Sequence, residues 1–427
     1  MQTDRSLLDD MLNDGNLNKA YLQVVRNKGA AGVDGMEYTE LKDYLIEHGE
    51  EIKELIRSRK YNPLPVLRVE IPKENGKVRK LGVPTVLDRF VQQAIVQVLT
   101  PIYEPIFSET SYGFRPNRCC EMAIIKALEY MNDGFQWVVD IDLENFFDNV
   151  NHDKLITLIM KNVKDGEIVS LIRKFLVSGI MIDNEYEDSV IGTPQGGNLS
   201  PLLSNIMLNE LDKELEARGL RFTRYADDCI ILVGSSKAAD RVIESVSNFI
   251  EKKLGLKVNM TKSKVSKPNN IKYLGFGFFK DAQDGLWKAK PHKLTIDKLK
   301  SKLKELTSRN WGVSMDYRIY KINELLRGWV NNYRIGIFKT KCTEIDRNIR
   351  YRLRMCIWKQ WKRVRTRYRN LIKLKFPHNI AISWANSRKS YARCASSFLQ
   401  VAIPNKLFET KGLVPLLSLY QYKTYFV

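Results

Sequence analysis

Histidine and paired cysteines are scarce in this chain of 427 residues. Four histidines occur, none of them clustered, which argues against a zinc centre or histidine-based catalysis. The six cysteines include no C-x-x-C pair and no disulfide framework, so we expect reduced, mostly structural thiols. No run of about 18 uncharged apolar residues is present, and the N-terminus is too acidic for a signal or transit peptide. These absences predict a soluble protein that works in the cytoplasm, not at a membrane.

Positive charge is concentrated in the last third of the chain. The whole sequence carries 69 Lys and Arg against 49 Asp and Glu. Residues 286–427 hold 32 of these basic residues and 7 of the acidic ones, whereas residues 1–285 hold 37 and 42. This distribution predicts a near-neutral catalytic part followed by a surface that binds a polyanion. Membrane headgroups are the alternative polyanion, but no long apolar helical face accompanies the charge, which favours nucleic acid.

Two adjacent aspartates, Asp227 and Asp228, interrupt an apolar, β-prone run over residues 222–233. Neighbouring carboxylates in a buried strand repel each other and lose hydration, so they usually face a compensating cation such as a metal ion. A polar β-turn is the plain alternative, since Asp favours turns. A third carboxylate is needed to decide between these interpretations.

Residues 137–148 supply further carboxylates. Strict alternation places Val139 and Ile141 on one face of a predicted strand, and Asp140 and Asp142 on the other. An acidic strand face beside an Asp-Asp hairpin is typical of sites that hold two Mg²⁺ ions roughly 3.5 to 4 Å apart for phosphoryl transfer. Taken alone, the aspartates of this strand have solvated strand residues as their less favoured explanation. Together with the Asp-Asp pair they predict a metal site.

Residues 66–84 are predicted to form a hairpin with a basic tip. Two registers remain open. A two-residue loop pairs Lys73 with Val78 and turns Lys73 away from Arg79, whereas a three-residue loop with a bulge at Gly76 places Lys73 and Arg79 on one face. Only the second geometry could clamp a triphosphate. A charged edge hairpin that resists aggregation is the plain alternative.

Three further segments carry recognisable patterns. Residues 111–116 read Ser-Tyr-Gly-Phe-Arg-Pro, a combination suited to contact with a nucleic-acid backbone and bases, although a packed turn explains it equally well. Residues 192–201 place glycines and Gln195 before a helix, so a substrate could lie against backbone while an amide contacts its polar edge. Asn151 is predicted to cap a helix over residues 152–162.

The order of these motifs resembles that of the reverse transcriptases encoded by bacterial group II introns. The series runs from the Arg79 hairpin through Ser-Tyr-Gly-Phe-Arg-Pro, Asp-Leu-Glu-Asn-Phe-Phe, Thr-Pro-Gln-Gly-Gly and Tyr-Ala-Asp-Asp to Lys262 and Tyr-Leu-Gly-Phe. Residues 325–333, Leu-Leu-Arg-Gly-Trp-Val-Asn-Asn-Tyr, look like the maturase domain of the same family. The larger members of the family carry an additional nuclease domain with paired cysteines and histidines. This sequence contains no C-x-x-C pair and no clustered histidines, so it resembles the compact bacterial type without an endonuclease domain.

The resemblance implies an α+β fold, the right-hand polymerase. Fingers and palm, with an antiparallel palm sheet flanked by helices, would span residues 1–285, including an N-terminal extension over about 1–60. A basic, all-α thumb that doubles as the maturase domain would span residues 286–375. A basic, DNA-contacting extension would follow over residues 376–427.

Carried over position by position, the resemblance implies the catalytic residues Asp142, Asp227, Asp228 and Lys262. The three aspartates would hold two Mg²⁺ ions, with Mn²⁺ as a substitute and the Leu143 carbonyl as an extra ligand. Asp142 is preferred to Asp140 because the family pattern is an aspartate with aromatics at the fourth and fifth positions after it. Lys262 would donate a proton to the departing pyrophosphate.

The resemblance also implies a deoxynucleotide site formed by Lys73, Arg79, Arg115, Phe146, Phe147 and Gln195. Phe147 would exclude a ribose 2′-OH by steric clash, with Phe146 as the alternative gate. Lys73 and Arg79 would neutralise charge on the triphosphate, and Gln195 would contact the sugar.

Two more binding regions follow from the same resemblance. The primer end would be held by Tyr273, Leu274, Gly275 and Phe276. An apolar stripe from Ile345 through Ile349 and Leu353 predicts core packing of a helix. The dense basic charge around this stripe predicts salt-dependent RNA binding through Arg350, Arg352, Arg354, Arg363, Arg365 and Arg367. The resemblance to the maturase domain adds Arg327 and Trp329 to this predicted RNA-binding set.

Two functions remain after these inferences. The first is an RNA-directed DNA polymerase that uses deoxynucleotides, a DNA primer and its intron RNA, and that also assists splicing and retromobility of the intron. The alternative is a maturase that binds the intron RNA while its polymerase site is idle. The Asp-Asp pair and Gln195 are retained, which favours the polymerase. The sequence leaves open whether the chain forms a homodimer and where the primer originates.

Overall fold

The computed structural model describes residues 6–72, 76, 78–182, 185–188, 192 and 196–424. The chain divides into two compact units, Met1–Lys267 and Pro268–Val427. The division thus precedes the predicted end of the palm at residue 285, and the three-part domain assignment stays a prediction. None of the described helices is long and apolar enough to cross a membrane.

The first unit mixes helices with short strands. Its helices are α1 Leu7–Leu12, α2 Asp14–Asn27, α3 Leu41–Arg57, α4 Val86–Tyr103, α5 Cys120–Asn132, α6 His152–Asn162, α7 Gly166–Leu176, α8 Ser200–Ala217 and α9 Ser236–Phe249. Its strands are β1 Val66–Pro72, β2 Val78–Val83, β3 Trp137–Ile141, β4 Ile180–Ile182, β5 Glu185–Glu187, β6 Arg221–Tyr225, β7 Asp228–Val233 and β8 Lys264–Ser266. The predicted helix over residues 152–162 is confirmed, and the Asn151 side chain caps it by accepting a hydrogen bond from the Lys154 amide at 2.9 Å.

The sheet that carries the acidic residues has the strand order β6-β7-β3-β8, with antiparallel neighbours throughout. Val139 and Ile141 are 0% and 1% exposed and join the main core of the unit, whereas Asp140 and Asp142 are only half-buried. The predicted alternation along this segment is therefore confirmed. Because β3 pairs with β7 on one side and with β8 on the other, it is an inner strand of the sheet.

The basic hairpin has the pairing that the sequence left undecided. β1 and β2 are antiparallel, Val78 pairs with Pro72, and Ile71 pairs with Arg79. The two-residue-loop alternative is therefore wrong, since it would pair Val78 with Lys73. Lys73 and the side chain of Arg79 lie outside the described residues, so the clamp itself stays a prediction.

The second unit contains one hairpin and a group of helices. The hairpin joins β9 Phe276–Lys280 to β10 Trp287–Pro291, and the helices are α10 Lys293–Leu306, α11 Met315–Tyr333, α12 Lys339–Gln360, α13 Val364–Lys373, α14 His378–Ala385, α15 Tyr391–Ala395, α16 Phe398–Ala402, α17 Asn405–Thr410 and α18 Leu416–Thr424. The predicted stripe is confirmed as core, because Ile345, Ile349 and Leu353 are at most 2% exposed. Phe408 and Leu416, both 0% exposed, belong to the same core, so the segment after residue 376 packs onto the preceding helices.

Candidate active site

The Asp-Asp pair lies at the tip of the β6–β7 hairpin. Tyr225 pairs with Asp228, which leaves Ala226 and Asp227 as a two-residue loop. Ala226 has φ +56°, the left-handed conformation that a tight hairpin requires and that costs about 1–2 kcal/mol for a residue with a side chain. Asp227 is half-buried and Asp228 is exposed. The sequence allowed either a polar turn or an acidic site at Asp227 and Asp228. Both residues lie at a turn, so the two interpretations do not exclude each other.

The third aspartate reaches this hairpin through the register of β3. Ile141 pairs with Cys229, and continuing that antiparallel register by one residue sets Asp142 opposite Asp228. Asp142 thus follows the end of β3 as Asp228 begins β7. Two chain segments that are distant in sequence therefore place their carboxylates at the same end of the two inner strands, β3 and β7.

The backbone after Asp142 turns one carbonyl towards that hairpin. The Asp142 carbonyl accepts a hydrogen bond from the Asn259 amide, and the Glu144 amide donates to the Lys257 carbonyl, both at 2.8 Å. Successive peptide groups of an extended chain point to opposite sides. The Leu143 carbonyl therefore faces away from residues 257–259 and towards the β7 side, and its role as a ligand stays a prediction.

These groups line one cleft with a volume of about 920 Å³. Asp142, Leu143, Asp227, Asp228 and Lys262 all contribute to its wall. Other lining residues had no individual catalytic or nucleotide-binding role predicted from the sequence, although Phe114 stood within a motif that was singled out. They include Asn27, Lys80, Gln93 and Phe114.

Charge within the cleft is partly compensated by lysine. The Lys262 Nζ lies 3.1 Å from Asp142 Oδ2. Burial raises the pKa of Asp140 to about 6, with Lys264 opposing the rise and Asp142 adding to it. The acidic face therefore contains one carboxyl that resists ionisation and one that has a cationic partner.

Within the described part of the chain, no three His, Cys, Asp or Glu side chains are gathered closely enough to hold a metal ion. Mutual repulsion keeps carboxylates apart unless a cation draws them together. The donor chemistry nevertheless suits Mg²⁺, because carboxylate and carbonyl oxygens are the protein ligands that it prefers. Asp142, Asp227, Asp228 and the Leu143 carbonyl thus fit the ion by type and by their shared cleft.

The two candidate gate residues differ in burial. Phe146 and Phe147 lie on a single turn of 3₁₀ helix, Phe146–Asp148, with ring centroids 5.2 Å apart. Both line the cleft, but Phe146 is 3% exposed and belongs to the core, whereas Phe147 is half-exposed. This difference favours Phe147 as the side chain that meets an incoming sugar.

Gln195 lies outside the described residues, so its predicted contact with the sugar stays a prediction. Gly196 and Gly197 line the cleft. Earlier in the sequence, the Gly192 amide donates to the Val150 carbonyl at 2.8 Å. The Gly192 carbonyl lies 2.6 Å from Nε2 of the buried His152. His152, the first residue of α6, therefore supports Gly192.

The structure corrects the nucleotide-binding role predicted for Arg115. This side chain is 6% exposed, its Nη2 lies 2.8 Å from Glu104 Oε1, and its Nη1 donates to the carbonyls of Ser108 and Ser111. Arg115 therefore stabilises its own loop. The neighbouring Gly113 has a different importance, because a Cβ there would collide with the backbone nitrogen of Ala226.

The predicted primer grip is a rigid turn in the second unit. Leu274 and Gly275 both have positive φ, +49° and +85°, and the amides and carbonyls of Tyr273 and Phe276 exchange hydrogen bonds of 3.0 and 2.8 Å. Tyr273 and Phe276 are buried, and the Gly275 carbonyl accepts a hydrogen bond from the His292 amide at 3.0 Å. Contact with a primer would therefore fall to the tip residues and the backbone.

The predicted RNA-binding arginines differ in their surroundings. Arg327, Arg363 and Arg365 are exposed. Arg354, in contrast, is 6% exposed and donates to the Ile403 carbonyl and to Asn405 Oδ1 at 2.9 and 2.8 Å. The structure thus corrects the prediction for Arg354, which joins α12 to the end of α16 at Ile403 and to the first residue of α17, and so stabilises the fold.

The other predicted contacts combine packing with partial exposure. Arg352 donates from Nε to Thr307 Oγ1 at 2.6 Å, and the Arg367 guanidinium lies 4.4 Å from the centre of a Trp358 ring. Trp329 packs 4.9 Å from the Tyr333 ring. Arg350 is half-exposed. Arg352 and Arg367 thus connect α12 to neighbouring elements while part of their surface stays open.

Comparison with known proteins gives two family matches. The model of the reverse transcriptase (RNA-dependent DNA polymerase) family matches residues 71–278, and the model of the group II intron maturase-specific domain matches residues 296–375. The aspartates predicted to be catalytic and Lys262 fall in the first match. Most of the basic helical segment falls in the second.

Three relatives illustrate the range of similar proteins. Protein YkfC of Escherichia coli K12 is 34% identical over 284 residues, which cover 57% of this chain and 74% of the relative. The group II intron-encoded protein LtrA of Lactococcus lactis is 41% identical over 215 residues, 49% of this chain and 35% of LtrA. The putative COX1/OXI3 intron 2 protein of Saccharomyces cerevisiae is 29% identical over 334 residues, 64% of this chain and 38% of that protein.

The chain spans less than half the length of two of these relatives, so the activities of those whole proteins do not transfer to it directly. The domain matches and the similarity to YkfC do settle the family. The mixed α+β architecture and the antiparallel acidic sheet agree with them. This chain belongs to the reverse transcriptases with a maturase domain that are encoded by group II introns.

Proposed function

We propose that this chain copies RNA into DNA by two-metal nucleotidyl transfer and that it binds the RNA of its own intron. The carrying observation is that Asp142, Asp227 and Asp228 line one cleft together with Lys262. Relatives of this chain include a group II intron-encoded protein, which supports intron RNA as template and splicing substrate. A DNA primer and deoxynucleotides complete the reaction.

The proposed site divides its tasks among residues of the first unit. Asp142, Asp227, Asp228 and the Leu143 carbonyl would hold two Mg²⁺ ions, or Mn²⁺ in their place. The bound ions supply a lowered pKa for the primer 3′-OH and neutralisation of charge on the leaving group. Lys262, 3.1 Å from Asp142 and largely exposed, would donate a proton to the pyrophosphate.

The remaining residues would select and hold the substrates. The half-exposed Phe147 would exclude a ribose 2′-OH, and Lys73, Arg79 and Gln195 keep their proposed nucleotide contacts. The Leu274-Gly275 turn would hold the primer end. We further propose that the basic helices of the second unit bind intron RNA to assist splicing and retromobility, with residues 376–427 contacting DNA. The reaction would take place in the bacterial cytoplasm, as expected from the sequence and supported by bacterial relatives.

Primer extension with deoxynucleotides on an RNA template tests the polymerase proposal. The wild type is compared with Asp227→Ala/Asp228→Ala, with and without Mg²⁺. Asp153→Ala/Asp240→Ala is the matched control, because it removes the same charge from two exposed positions outside the cleft. We expect Mg²⁺-dependent cDNA from the wild type and the control, and none from the catalytic double variant.

The opposite result separates the two candidate functions. A folded wild type that binds intron RNA but makes no cDNA under any metal condition would refute the polymerase proposal. It would leave the splicing-cofactor function, which the maturase-domain match supports independently.

A further inference from the structure

The backbone of the Ala226-Asp227 turn is held from behind by a buried guanidinium. Arg224, near the end of β6, is 0% exposed, and its Nη1 donates a hydrogen bond to the Ala226 carbonyl at 2.9 Å. Its Nε and Nη2 bind the two carboxylate oxygens of Asp212 on α8, at 2.7 and 2.5 Å. A two-point pair of this kind fixes the plane of the guanidinium as well as its position. The hydrogen bond to Ala226 therefore has a defined direction.

A buried amide completes this arrangement. Asn205, also on α8 and 0% exposed, accepts a hydrogen bond from Arg224 Nη1 at 3.0 Å and donates one to the Gly113 carbonyl at 2.8 Å. Gly113 in turn lies directly against the backbone nitrogen of Ala226. The turn is thus confined between Arg224 and Gly113, and both are tied to the same helix.

The confinement acts where the backbone is least favourable. A residue with a side chain keeps a left-handed φ only where its surroundings impose it, and Ala226 has φ +56°. The Ala226 carbonyl belongs to the same peptide group as the Asp227 amide, so its direction sets the orientation of the Asp227 backbone. Fold stability alone does not require such a network, because well-packed apolar residues often replace a buried ion pair without loss.

We propose that Arg224, with Asp212 and Asn205, forms a positioning network for the polymerase centre. Arg224 fixes the Ala226–Asp227 peptide so that the Asp227 carboxylate is presented to a divalent metal ion. This inference rests on the proposed function and adds residues that touch neither substrate nor metal. Sequence reasoning gave them no role, because Arg224 stood inside an apolar run and Asp212 inside a helix.

The variants Arg224→Lys and Asp212→Asn test this role. Lysine keeps the positive charge but lacks the planar fork, so it cannot serve Asp212 and Ala226 at once. Binding is measured with Mn²⁺ alone, from the electron paramagnetic resonance signal of the free ion in a titration without nucleic acid. We expect Mn²⁺ affinity to fall about 10-fold to 100-fold, the usual effect of losing a residue that orients a ligand. The Mg²⁺ concentration for half-maximal primer extension should rise by a similar factor, while RNA affinity is unchanged.

Asp88→Asn is the matched control for a merely structural effect. Asp88 is 2% exposed in the same unit and accepts hydrogen bonds from the Tyr61 hydroxyl at 2.8 Å and the Leu64 amide at 3.1 Å. It does not line the cleft or bond to the turn. We expect both this variant and Asp212→Asn to lose thermal stability, and only Asp88→Asn to keep the Mn²⁺ affinity of the wild type.

The outcomes separate this inference from the proposed function. If Arg224→Lys and Asp212→Asn melt earlier but bind Mn²⁺ like the wild type, the network serves only the fold and the inference is overturned. If those variants do not fold, Asn205→Ser keeps the ion pair and removes one hydrogen-bonding arm, and unchanged Mn²⁺ affinity in that variant overturns the inference equally. If the wild type itself neither binds Mn²⁺ nor extends primers, the proposed function fails first.

Discussion

The two units of this chain use charge in opposite ways. In the first unit, three carboxylates line one cleft, those of Asp142, Asp227 and Asp228. The second unit carries many basic residues, of which Arg363 and Arg365 are exposed and Arg354 is buried. A small set of converging charges makes each member essential, whereas a dispersed set makes each exposed member a small, additive contributor. The contrast predicts large, specific effects in the first unit and graded effects in the second.

The sharpest test of this contrast is Asp142→Asn. We expect primer extension to fall roughly 1,000-fold, equivalent to about 4 kcal/mol of transition-state stabilisation, because one metal-holding carboxylate is lost. RNA affinity, measured by filter binding, should be unchanged, as should both properties in the exposed control Asp153→Asn. A parallel loss of RNA binding in Asp142→Asn would break the proposed separation of tasks.

Within the first unit, the two neighbouring phenylalanines should respond differently. Phe146→Ala should lower the free energy of unfolding by about 3–5 kcal/mol, since it empties a core position, and urea denaturation measures this loss. Phe147→Ala should unfold at nearly the wild-type urea concentration but incorporate ribonucleotides more readily, seen as a changed ratio of kcat/KM for dNTP and rNTP. Ribonucleotide incorporation that rises only in a stable Phe146→Ala protein would assign the gate to Phe146 instead.

Within the second unit, burial should separate two arginines of similar sequence context. Arg354→Ala should cost about 2–3 kcal/mol of folding free energy, because its hydrogen bond to the Ile403 carbonyl is buried and its hydrogen bond to Asn405 is partly buried. Arg365→Ala should change stability by less than about 0.5 kcal/mol. It should instead weaken RNA binding and reduce the salt dependence of affinity by about 0.7 in log-log slope if it contacts one phosphate. Equal stability losses in the two variants would contradict the distinction.

The smallest expected effect is the contribution of Asp140 to the pH dependence of folding stability. Burial raises the pKa of this carboxyl to about 6, so the folded protein binds its proton more tightly than the unfolded chain does. Its ionisation therefore lowers stability as pH rises from about 4 to about 6. Asp140→Asn should raise the Tm above pH 6 in EDTA, a gain of up to roughly 2 kcal/mol, and flatten that part of the profile. A Tm profile that keeps the wild-type slope would show that Asp140 is not the responsible group.

Local patterns in the sequence predicted the parts of the fold that depend on neighbours along the chain. The alternation around Val139, the Asn151 cap and the apolar stripe from Ile345 are all confirmed, because each reflects burial or capping within a single element. The order of motifs also led to the correct family. The individual roles assigned to the catalytic aspartates and to Lys262 stay predictions.

Roles that depend on distant partners were not predictable in the same way. An arginine in a basic run looks the same whether it faces water or a carbonyl 49 residues away, as Arg354 faces Ile403. The same holds for Arg224, whose partner Asp212 lies on a different element. The pairing of Val78 with Pro72 was likewise undecided, because both loop lengths satisfy the local turn signals. Only the assembled structure distinguishes these cases.

The position of β3 between β7 and β8 affects when the acidic cleft can assemble during protein synthesis. Asp142 meets Lys262 across 120 residues of chain, and the strand that supports their approach is the last of its sheet to be synthesised. Contacts of such long sequence separation form late, since the intervening chain must close a large loop first. On a nascent chain, the contact between Asp142 and Lys262 therefore cannot form until the segment just before β8 has emerged from the ribosome. The proposed site would be complete only after nearly the whole first unit has been synthesised.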